Sequence, residues 1–170
     1  QLNLQKKIDL YLFDLRDLKK LKNLMKKTRP SIVFHLAAQP LIHLSYKKPF
    51  TTFDVNVRGT LNVLEVTRNL SFVKSLLIVT SDKCYESNNS TSGFKETDIL
   101  GGVDPYSASK SSMEIMTRAY RESFFNKRKN IGVSTARAGN VIGGGDWSTK
   151  RLIPDVIRSL RRNKTILIRN

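Results

Sequence analysis

Tyr106 and Lys110 lie four residues apart in DPYSASKSSMEIMTRAYRESFF, a stretch from Asp104 to Phe125 that predicts a long helix. Residues at this spacing share one helix face, so the phenol and the ammonium group can reach the same point. A neighbouring cation lowers the pKa of a phenol from its ordinary value of about 10. Such a pair can take the proton of an alcohol while hydride leaves the same carbon. Because the spacing alone is common, a solvated helix face is the alternative interpretation.

Four short apolar runs predict buried strands at residues 8 to 14, 31 to 38, 75 to 82 and 131 to 139. Near-continuous apolar strands are typical of a parallel sheet that is covered on both faces. Helical patterns lie between them, in RDLKKLKNLMKK, PFTTFDVNVRGTLNVLEVTRNL and the stretch around Tyr106. The alternation predicts a doubly wound parallel α/β sheet, which binds ligands beyond the carboxyl ends of its strands. The motifs DLRD, AAQ, TSDK and AGN each follow a strand, so we expect them at that edge.

Length and composition predict an ordinary soluble domain, since 170 residues with 39% hydrophobic content suffice for one core. No apolar run approaches the ~20 residues of a membrane helix, and no signal-peptide pattern is present, so we expect a cytoplasmic protein. The single Cys84 excludes an internal disulfide and a multi-cysteine metal site. His35 and His43 have no carboxylate or cysteine partners at metal-binding spacing, so we expect them to pack and predict no metal. ESNNSTSGF is typical of a polar loop.

The net charge of +16 favours a polyanionic partner when it is taken alone. The basic residues cluster in LKKLKNLMKKTRP, NKRKN and RSLRRNK, which are candidate helix ends or loops. Base-stacking surfaces interleave aromatic residues with such charges, and these clusters contain none. A lysine-biased solvated surface is therefore the preferred interpretation, and nucleic-acid binding is disfavoured.

A dinucleotide-binding fold opens with a strand, a glycine-rich turn and a helix whose N-terminus holds the pyrophosphate. No glycine precedes Asp14, and the cluster GNVIGGGDW follows the last predicted strand, where it favours a tight turn. The simplest interpretation is that the chain begins inside a longer protein. Its first predicted strand would then be the third strand of the fold.

Six motifs in order, FDLRD, HLAAQP, NVRGTLNVLE, VTSDKCY, DPYSASK and ARAGNVIGGGDW with RLIPD, resemble the extended short-chain dehydrogenase/reductase superfamily, and most closely the CDP-glucose 4,6-dehydratase family. The resemblance covers nearly the whole chain. It implies that residues 1–170 form a partial NAD-binding, Rossmann-like domain. The N-terminal glycine-rich unit and most of the substrate domain would be missing, and residues 144–170 would lead into the substrate-binding region.

The resemblance assigns expected roles along the cofactor. Asp14 would accept a hydrogen bond from the adenine amino group beside the Leu15 backbone, although Asp14 is equally suited to cap the following helix. The small residues Ala37 and Ala38, with Gln39, would let the backbone approach the cofactor, with strand-end packing as the alternative. The remaining expected cofactor contacts are Thr80 at the nicotinamide, Tyr106 and Lys110; for Thr80 the alternative is a core hydroxyl bonded to the backbone. In NVRGT, Asn56 and Gly59 are expected to serve helix packing and the fold, with a cofactor role as the alternative.

Ser81, Asp82 and Lys83 stand where thymidine-type dehydratases have Thr-Asp-Glu. By resemblance, the hydroxyl assists the catalytic tyrosine at C4, the aspartic acid protonates the leaving C6 hydroxyl, and the third residue removes the C5 proton. Lysine in third place departs from the commoner pattern and matches the CDP-glucose branch. An amine can act as this base if its pKa is lowered. The alternative is a surface lysine at a strand end.

The implied activity is that of an NAD-dependent lyase that oxidises C4 of CDP-glucose, eliminates water across C5 and C6 and returns the hydride to C6, giving CDP-4-keto-6-deoxyglucose, a deoxysugar precursor for surface polysaccharide. Asn140 and Arg151 would contact the sugar nucleotide, and for Arg151 the alternative is a surface residue in the first turn of a helix. A homodimer is expected through a four-helix bundle of residues 50 to 69 and 106 to 125, with Met113, Met116 and Tyr120 either there or against their own sheet. The alternatives are another NAD-dependent sugar-nucleotide epimerase or dehydratase, and an inactive fragment or basic nucleic-acid-binding domain.

Overall fold

The computed structural model describes residues 7–86, 93–128 and 130–166, and the chain divides into two compact units, Gln1–Arg137 and Ala138–Asn170. In chain order, the first unit contains α1 (Leu18–Thr28), β1 (Ile32–His35), α2 (Ile42–Lys47), α3 (Pro49–Phe53), a π-helical turn (Asp54–Arg58), α4 (Gly59–Arg68), β2 (Ser75–Val79), a 3₁₀ turn (Asp82–Cys84), α5 (Pro105–Tyr120), a second π-helical turn (Arg121–Phe125) and β3 (Gly132–Ala136). The second unit contains α6 (Leu152–Arg161). Within these described ranges, no helix is both long and apolar enough to cross a membrane. Most of the predicted ESNNSTSGF loop lies outside the described residues.

The sheet has the order β1-β2-β3, and both pairs of strands are parallel. Val33, Leu76 and Val133 lie side by side in this register. Parallel strands need crossover connections, which here contain α4 and α5. The parallel α/β architecture predicted from the alternating pattern is confirmed.

The core lies between the sheet and the long helices. Leu76 and Ile78 of β2 are fully buried, and they belong to one apolar cluster with Leu64 of α4 and Met113 of α5. Burying one such side chain stabilises the fold by roughly 1.5–3 kcal/mol relative to leaving it in water. Met113 therefore packs inside its own subunit, which is the second of the two uses predicted for it.

The strand predicted at residues 8 to 14 is wrong. Residues 9–14 have no regular structure, and the apolar side chains of Ile8, Leu10 and Leu12 are exposed. A strand requires a hydrogen-bonded neighbour, and among the described residues β1 pairs only with β2. The other predicted strands form, but each ends three residues earlier than expected, before the polar motifs.

One face of the sheet remains open in the described part of the chain. Ile32 and Phe34, which alternate with inward-facing residues of β1, are 56% and 63% exposed. The sheet was expected to be covered by helices on both faces. In the described residues it is covered on one face, by α4 and α5.

The helix α5 begins where its sequence predicts. Asp104 is its N-cap, and one carboxylate oxygen accepts hydrogen bonds from the backbone of Tyr106 at 2.9 Å and Ser107 at 3.0 Å. Pro105 occupies the first helical turn, where its missing N–H has no cost. Gly102 precedes the cap at a φ of 127°, and a Cβ there would lie 2.7 Å from the backbone of the first turn. These residues fix the position of Tyr106 at the start of the helix.

In the second unit, Arg158 ties the glycine-rich loop to α6. Its guanidinium donates to the carbonyl oxygens of Trp147 at 2.9 Å and Ser148 at 3.1 Å, and it pairs with Asp155 at 2.5 Å. The Arg161 guanidinium lies 5.4 Å from the centre of the Trp147 ring. The tight turn predicted in GNVIGGGDW is present, with Gly145 at a φ of 90°.

Candidate active site

Tyr106 and Lys110 lie in the first turns of α5, and both are almost closed to solvent, at 8% and 4% exposure. Lys110 Nζ is 6.0 Å from the centre of the Tyr106 ring and donates a hydrogen bond of 3.3 Å to the carbonyl oxygen of Val79, the last residue of β2. This burial excludes the solvated helix face that the spacing left open. The pair is anchored at the carboxyl end of the central strand.

Burial lowers the pKa of Lys110 to about 8. The side chain therefore still carries its charge at neutral pH, but close to its titration range. A buried ammonium group at this position can stabilise a neighbouring phenolate.

The residues after β2 form a turn that presents a carboxylate and an amine. Ser81 caps this Asp82–Cys84 turn, because its Oγ accepts from the Lys83 backbone at 3.2 Å and lies 3.1 Å from Asp82 Oδ1. Lys83 Nζ lies 3.8 Å from Asp82 Oδ2, and the two side chains are 52% and 44% exposed. An ion pair this exposed contributes little to stability, but both groups are accessible to a ligand.

Thr80 points into the protein. Its hydroxyl donates a short hydrogen bond to the carboxylate of Glu114 and has a longer contact of 3.4 Å with the Ala136 carbonyl oxygen. Glu114 was not among the residues predicted from the sequence, although Tyr106, Lys110 and Glu114 follow one another at intervals of four on α5.

The end of β1 is tied to α5 through Asn56, which is fully buried. Asn56 Oδ1 accepts from the Gln39 backbone at 2.7 Å, and its Nδ2 donates to Ser109 Oγ at 2.9 Å. Ser109 Oγ in turn donates to the carbonyl oxygen of Tyr106 at 2.7 Å. The expected packing role of Asn56 is thus observed. The network holds Gln39 in place.

Asp14 is held by Arg16 in a two-pronged contact, with Nε 3.0 Å from Oδ1 and Nη2 2.6 Å from Oδ2. The hydrogen bonds from Arg16 lower the pKa of the Asp14 carboxyl to about 2. The N-cap of α1 is Asp17, which accepts from the Lys20 backbone at 3.0 Å, so the capping alternative for Asp14 is wrong. Leu15 packs partly against the core. The adenine-side roles of Asp14 and Leu15 stay predictions.

The remaining predicted residues are distributed between the two units. Ala37 and Ala38 follow β1, with Ala37 exposed and Ala38 half-buried. Asn140 and Arg151 belong to the second unit, where Arg151 precedes α6 and lies 3.5 Å from an Asp146 carboxylate oxygen. Their sugar-nucleotide roles stay predictions.

Comparison with known proteins identifies the family. The model of the GDP-mannose 4,6 dehydratase family matches residues 1–167, and the chain belongs to this family. A CDP-glucose 4,6-dehydratase of Salmonella typhimurium is 46% identical over 161 residues, which are 92% of this chain and 45% of that enzyme. The resemblance inferred from the motifs is confirmed.

Solved structures confirm the Rossmann-like fold class. A UDP-glucose 4-epimerase of Thermus thermophilus in complex with NAD has a TM-score of 0.77 at 29% identity, over 87% of this chain and 46% of that one. A dTDP-glucose 4,6-dehydratase double mutant of Streptomyces venezuelae, with NAD bound, has a TM-score of 0.78 at 25% identity, over 91% and 45%. The chain thus spans about half the length of these relatives.

Proposed function

We propose that the protein acts as an NAD-dependent sugar-nucleotide 4,6-dehydratase, with CDP-glucose as its substrate. The observation that carries this proposal is the arrangement at the end of β2. There Lys110 donates to Val79 beside the buried Tyr106, and the Asp82–Lys83 pair follows three residues after Val79. The 46% identity to a CDP-glucose 4,6-dehydratase supports this choice of nucleotide.

The described residues fit NAD at the edge where the strands end. Ala37 and Ala38 leave the backbone after β1 approachable, and Lys110 places a cation beside the Tyr106 phenol. When bound, NAD supplies the group that accepts a hydride and gives it back. The residues that would hold it are Asp14, Leu15, Ala37, Ala38, Gln39, Thr80, Tyr106 and Lys110.

In the oxidation step, Tyr106 takes the proton of the C4 hydroxyl while hydride leaves C4. The Lys110 ammonium, which remains charged below a pKa of about 8, stabilises the phenolate that accepts this proton. Ser81 lies at the head of the turn and offers a hydroxyl to the same C4 oxygen.

In the elimination step, Lys83 removes the C5 proton and Asp82 protonates the C6 hydroxyl, which leaves as water. This requires a neutral amine and a neutral acid, and both form when one proton moves across the 3.8 Å pair from Lys83 to Asp82. After elimination, Lys83 carries the C5 proton and Asp82 is ionised. When the hydride returns to C6, Lys83 gives a proton back to C5. The pair then regains one proton from solvent, and Tyr106 releases to solvent the proton that it took from the C4 hydroxyl.

A dimer remains part of the proposal. Leu61 of α4 and Ile115 of α5 are exposed at 37% and 48%, so the two helices carry apolar side chains that a second copy could cover. The cytoplasmic location and the role in polysaccharide precursor synthesis likewise stay predictions.

The test is the product that the full-length protein forms from CDP-glucose and NAD, identified by nuclear magnetic resonance. A dehydratase gives a 4-keto sugar with a C6 methyl group. A product inverted at C4 that keeps its C6 hydroxyl would instead identify an epimerase, which needs no Asp82–Lys83 pair. Turnover of dTDP-glucose or GDP-mannose but not CDP-glucose would leave the reaction class intact and refute the nucleotide.

A further inference from the structure

Glu114 is a buried carboxylate whose oxygens both accept hydrogen bonds. One oxygen accepts from Thr80 at the end of β2, and the other accepts from Thr135 of β3 at 2.8 Å and from Arg137 Nη2 at 3.1 Å. The Glu114 side chain is only 4% exposed. It therefore connects α5 to the ends of two strands.

Arg137 carries this connection onward from Glu114 to Tyr85. Its Nη1 donates to the Tyr85 hydroxyl at 2.9 Å and to the Glu96 carbonyl oxygen at 3.1 Å. The guanidinium also lies 4.8 Å from the centre of the Tyr85 ring, so the ring and the hydroxyl both contact Arg137.

Tyr85 directly follows the Asp82–Cys84 turn, and its position is fixed on several sides. Its ring stacks on Phe94 at 4.5 Å, and its backbone forms an antiparallel bridge with Leu100. The backbone N–H groups of Glu86 and Gly101 close this bridge with hydrogen bonds of 2.9 Å each. Movement of Tyr85 would move the turn that carries Asp82 and Lys83.

The charge state of Glu114 is consistent with its contact to Arg137. Burial alone would raise the pKa of the Glu114 carboxyl, but the hydrogen bonds from Arg137, Thr80 and Thr135 outweigh it and hold that pKa below its ordinary value. The carboxylate is therefore ionised opposite Arg137, as a charge-assisted pair requires.

We propose that Glu114, Arg137 and Tyr85 are positioning residues that set the Asp82–Lys83 pair in register with Tyr106 and Lys110, an inference that rests on the proposed dehydratase activity. Glu114 lies on the same face of α5 as Tyr106 and Lys110, which carry out the oxidation. The Arg137–Tyr85 contact instead reaches the Asp82–Cys84 turn, which Tyr85 directly follows. Cutting that contact should therefore slow the elimination and spare the oxidation.

The test variant is Tyr85→Phe, which removes only the hydroxyl that Arg137 contacts and keeps the ring between Phe94 and Arg137. The matched control is Tyr120→Phe, because the Tyr120 hydroxyl also makes one side-chain hydrogen bond, to Glu65 at 3.2 Å, but far along α5 from the turn. Both variants lose one hydroxyl and keep an aromatic ring, so both should fold.

In the full-length protein with CDP-glucose and NAD, single-turnover absorbance follows the oxidation, and deuterium uptake at C5 follows the elimination. Tyr85→Phe should slow the elimination by about 10- to 100-fold and leave the oxidation rate within about twofold, because small misplacements cost rates of that order. Tyr120→Phe should change neither. An equal loss in both steps, or no loss in the elimination, would overturn the proposal.

Amide hydrogen exchange gives a second readout that needs no turnover. In Tyr85→Phe, the amides of Cys84, Glu86 and Gly101 should exchange at least about tenfold faster, while those in the middle of α5 stay as protected as in the wild type. Unchanged exchange at these three amides would refute the network even if the wild type did not act on CDP-glucose. Failure of the wild type on CDP-glucose would instead count against the proposed function.

Discussion

Lys110 is held at the end of β2 by its hydrogen bond to Val79 in a site almost closed to water. Burial brings its pKa to about 8, so its charge is present below that pH and is lost above it. The oxidation rate should therefore fall as the pH rises through about 8, because Tyr106 loses the cation that stabilises its phenolate. A pH profile of single-turnover oxidation measures this.

Lys110→Arg is the control for this profile, since a guanidinium stays charged over the whole range. We expect a lower rate in this variant, because the two side chains differ in shape, but no fall near pH 8. An identical fall in both proteins would assign the titration to another group.

A substitution of Lys83 tests whether the Asp82–Lys83 pair serves the elimination while Tyr106 and Lys110 serve the oxidation. Lys83→Ala should oxidise C4 at the wild-type rate but slow the elimination by roughly 10²- to 10⁴-fold, which is the usual contribution of a general base. Deuterium exchange at C5, together with the absorbance of reduced nicotinamide, separates the two steps.

Lys74→Ala provides the comparison, because Lys74 is an exposed lysine at the opposite end of β2. It should behave as the wild type in both steps. Normal C5 exchange in Lys83→Ala would show that Lys83 is not the base that removes the C5 proton. The proposed elimination of the CDP-glucose type would then have no base assigned to it.

At the scale of the elements, His35 joins β1 to α4. Its Nε2 lies 2.9 Å from Thr60 Oγ1, and Thr60 donates to the Asn56 carbonyl oxygen at 2.6 Å, so His35 Nε2 is the donor to Thr60. Burial, with a smaller effect from the charge of Lys110, lowers its pKa from 6.5 to about 4. As the pH falls, His35 of the unfolded chain, with its ordinary pKa of 6.5, takes up a proton before His35 of the folded protein does. The contribution of His35 to the free energy of unfolding is therefore fully present above pH 6.5 and is lost as the pH falls toward 4.

His35→Gln should remove this dependence. Between pH 7 and pH 4, the wild type should lose up to about 3 kcal/mol more of its free energy of unfolding than the variant, since one pKa unit corresponds to about 1.4 kcal/mol. Urea denaturation over this range measures the difference, and the exposed carboxylates cancel because they titrate in both proteins. Parallel curves would show that His35 does not titrate as the structure indicates.

Local sequence patterns predicted correctly the strands and helices that pack against other elements of this chain. Sequence patterns located β1, β2 and β3 and the long helices, including α5 in the stretch from Asp104 to Phe125, but not the short helix α2. The apolar run at residues 8 to 14 looks the same in sequence, but pattern alone does not reveal whether a neighbouring strand is available. Glu114 was missed for a related reason, since its partners Thr80 and Thr135 lie 34 and 21 residues away.

At the scale of the whole molecule, a dinucleotide-binding fold holds the pyrophosphate with a glycine-rich turn at the start of its first helix. No glycine precedes Asp14, so the chain offers no glycine-rich turn ahead of β1 to hold a pyrophosphate. We therefore expect the 170-residue chain alone to bind NAD weakly or not at all. Titration calorimetry tests this expectation, and micromolar affinity would contradict it.

The proposed dehydratase activity requires one protein to oxidise C4, eliminate water and reduce C6 of the same sugar. The most direct measurement uses CDP-glucose that carries deuterium at C4, turned over by the full-length protein with NAD and analysed by nuclear magnetic resonance. We expect a 4-keto-6-deoxy product whose C6 methyl group carries that deuterium. Deuterium that remains at C4, with or without inversion at that carbon, would contradict it.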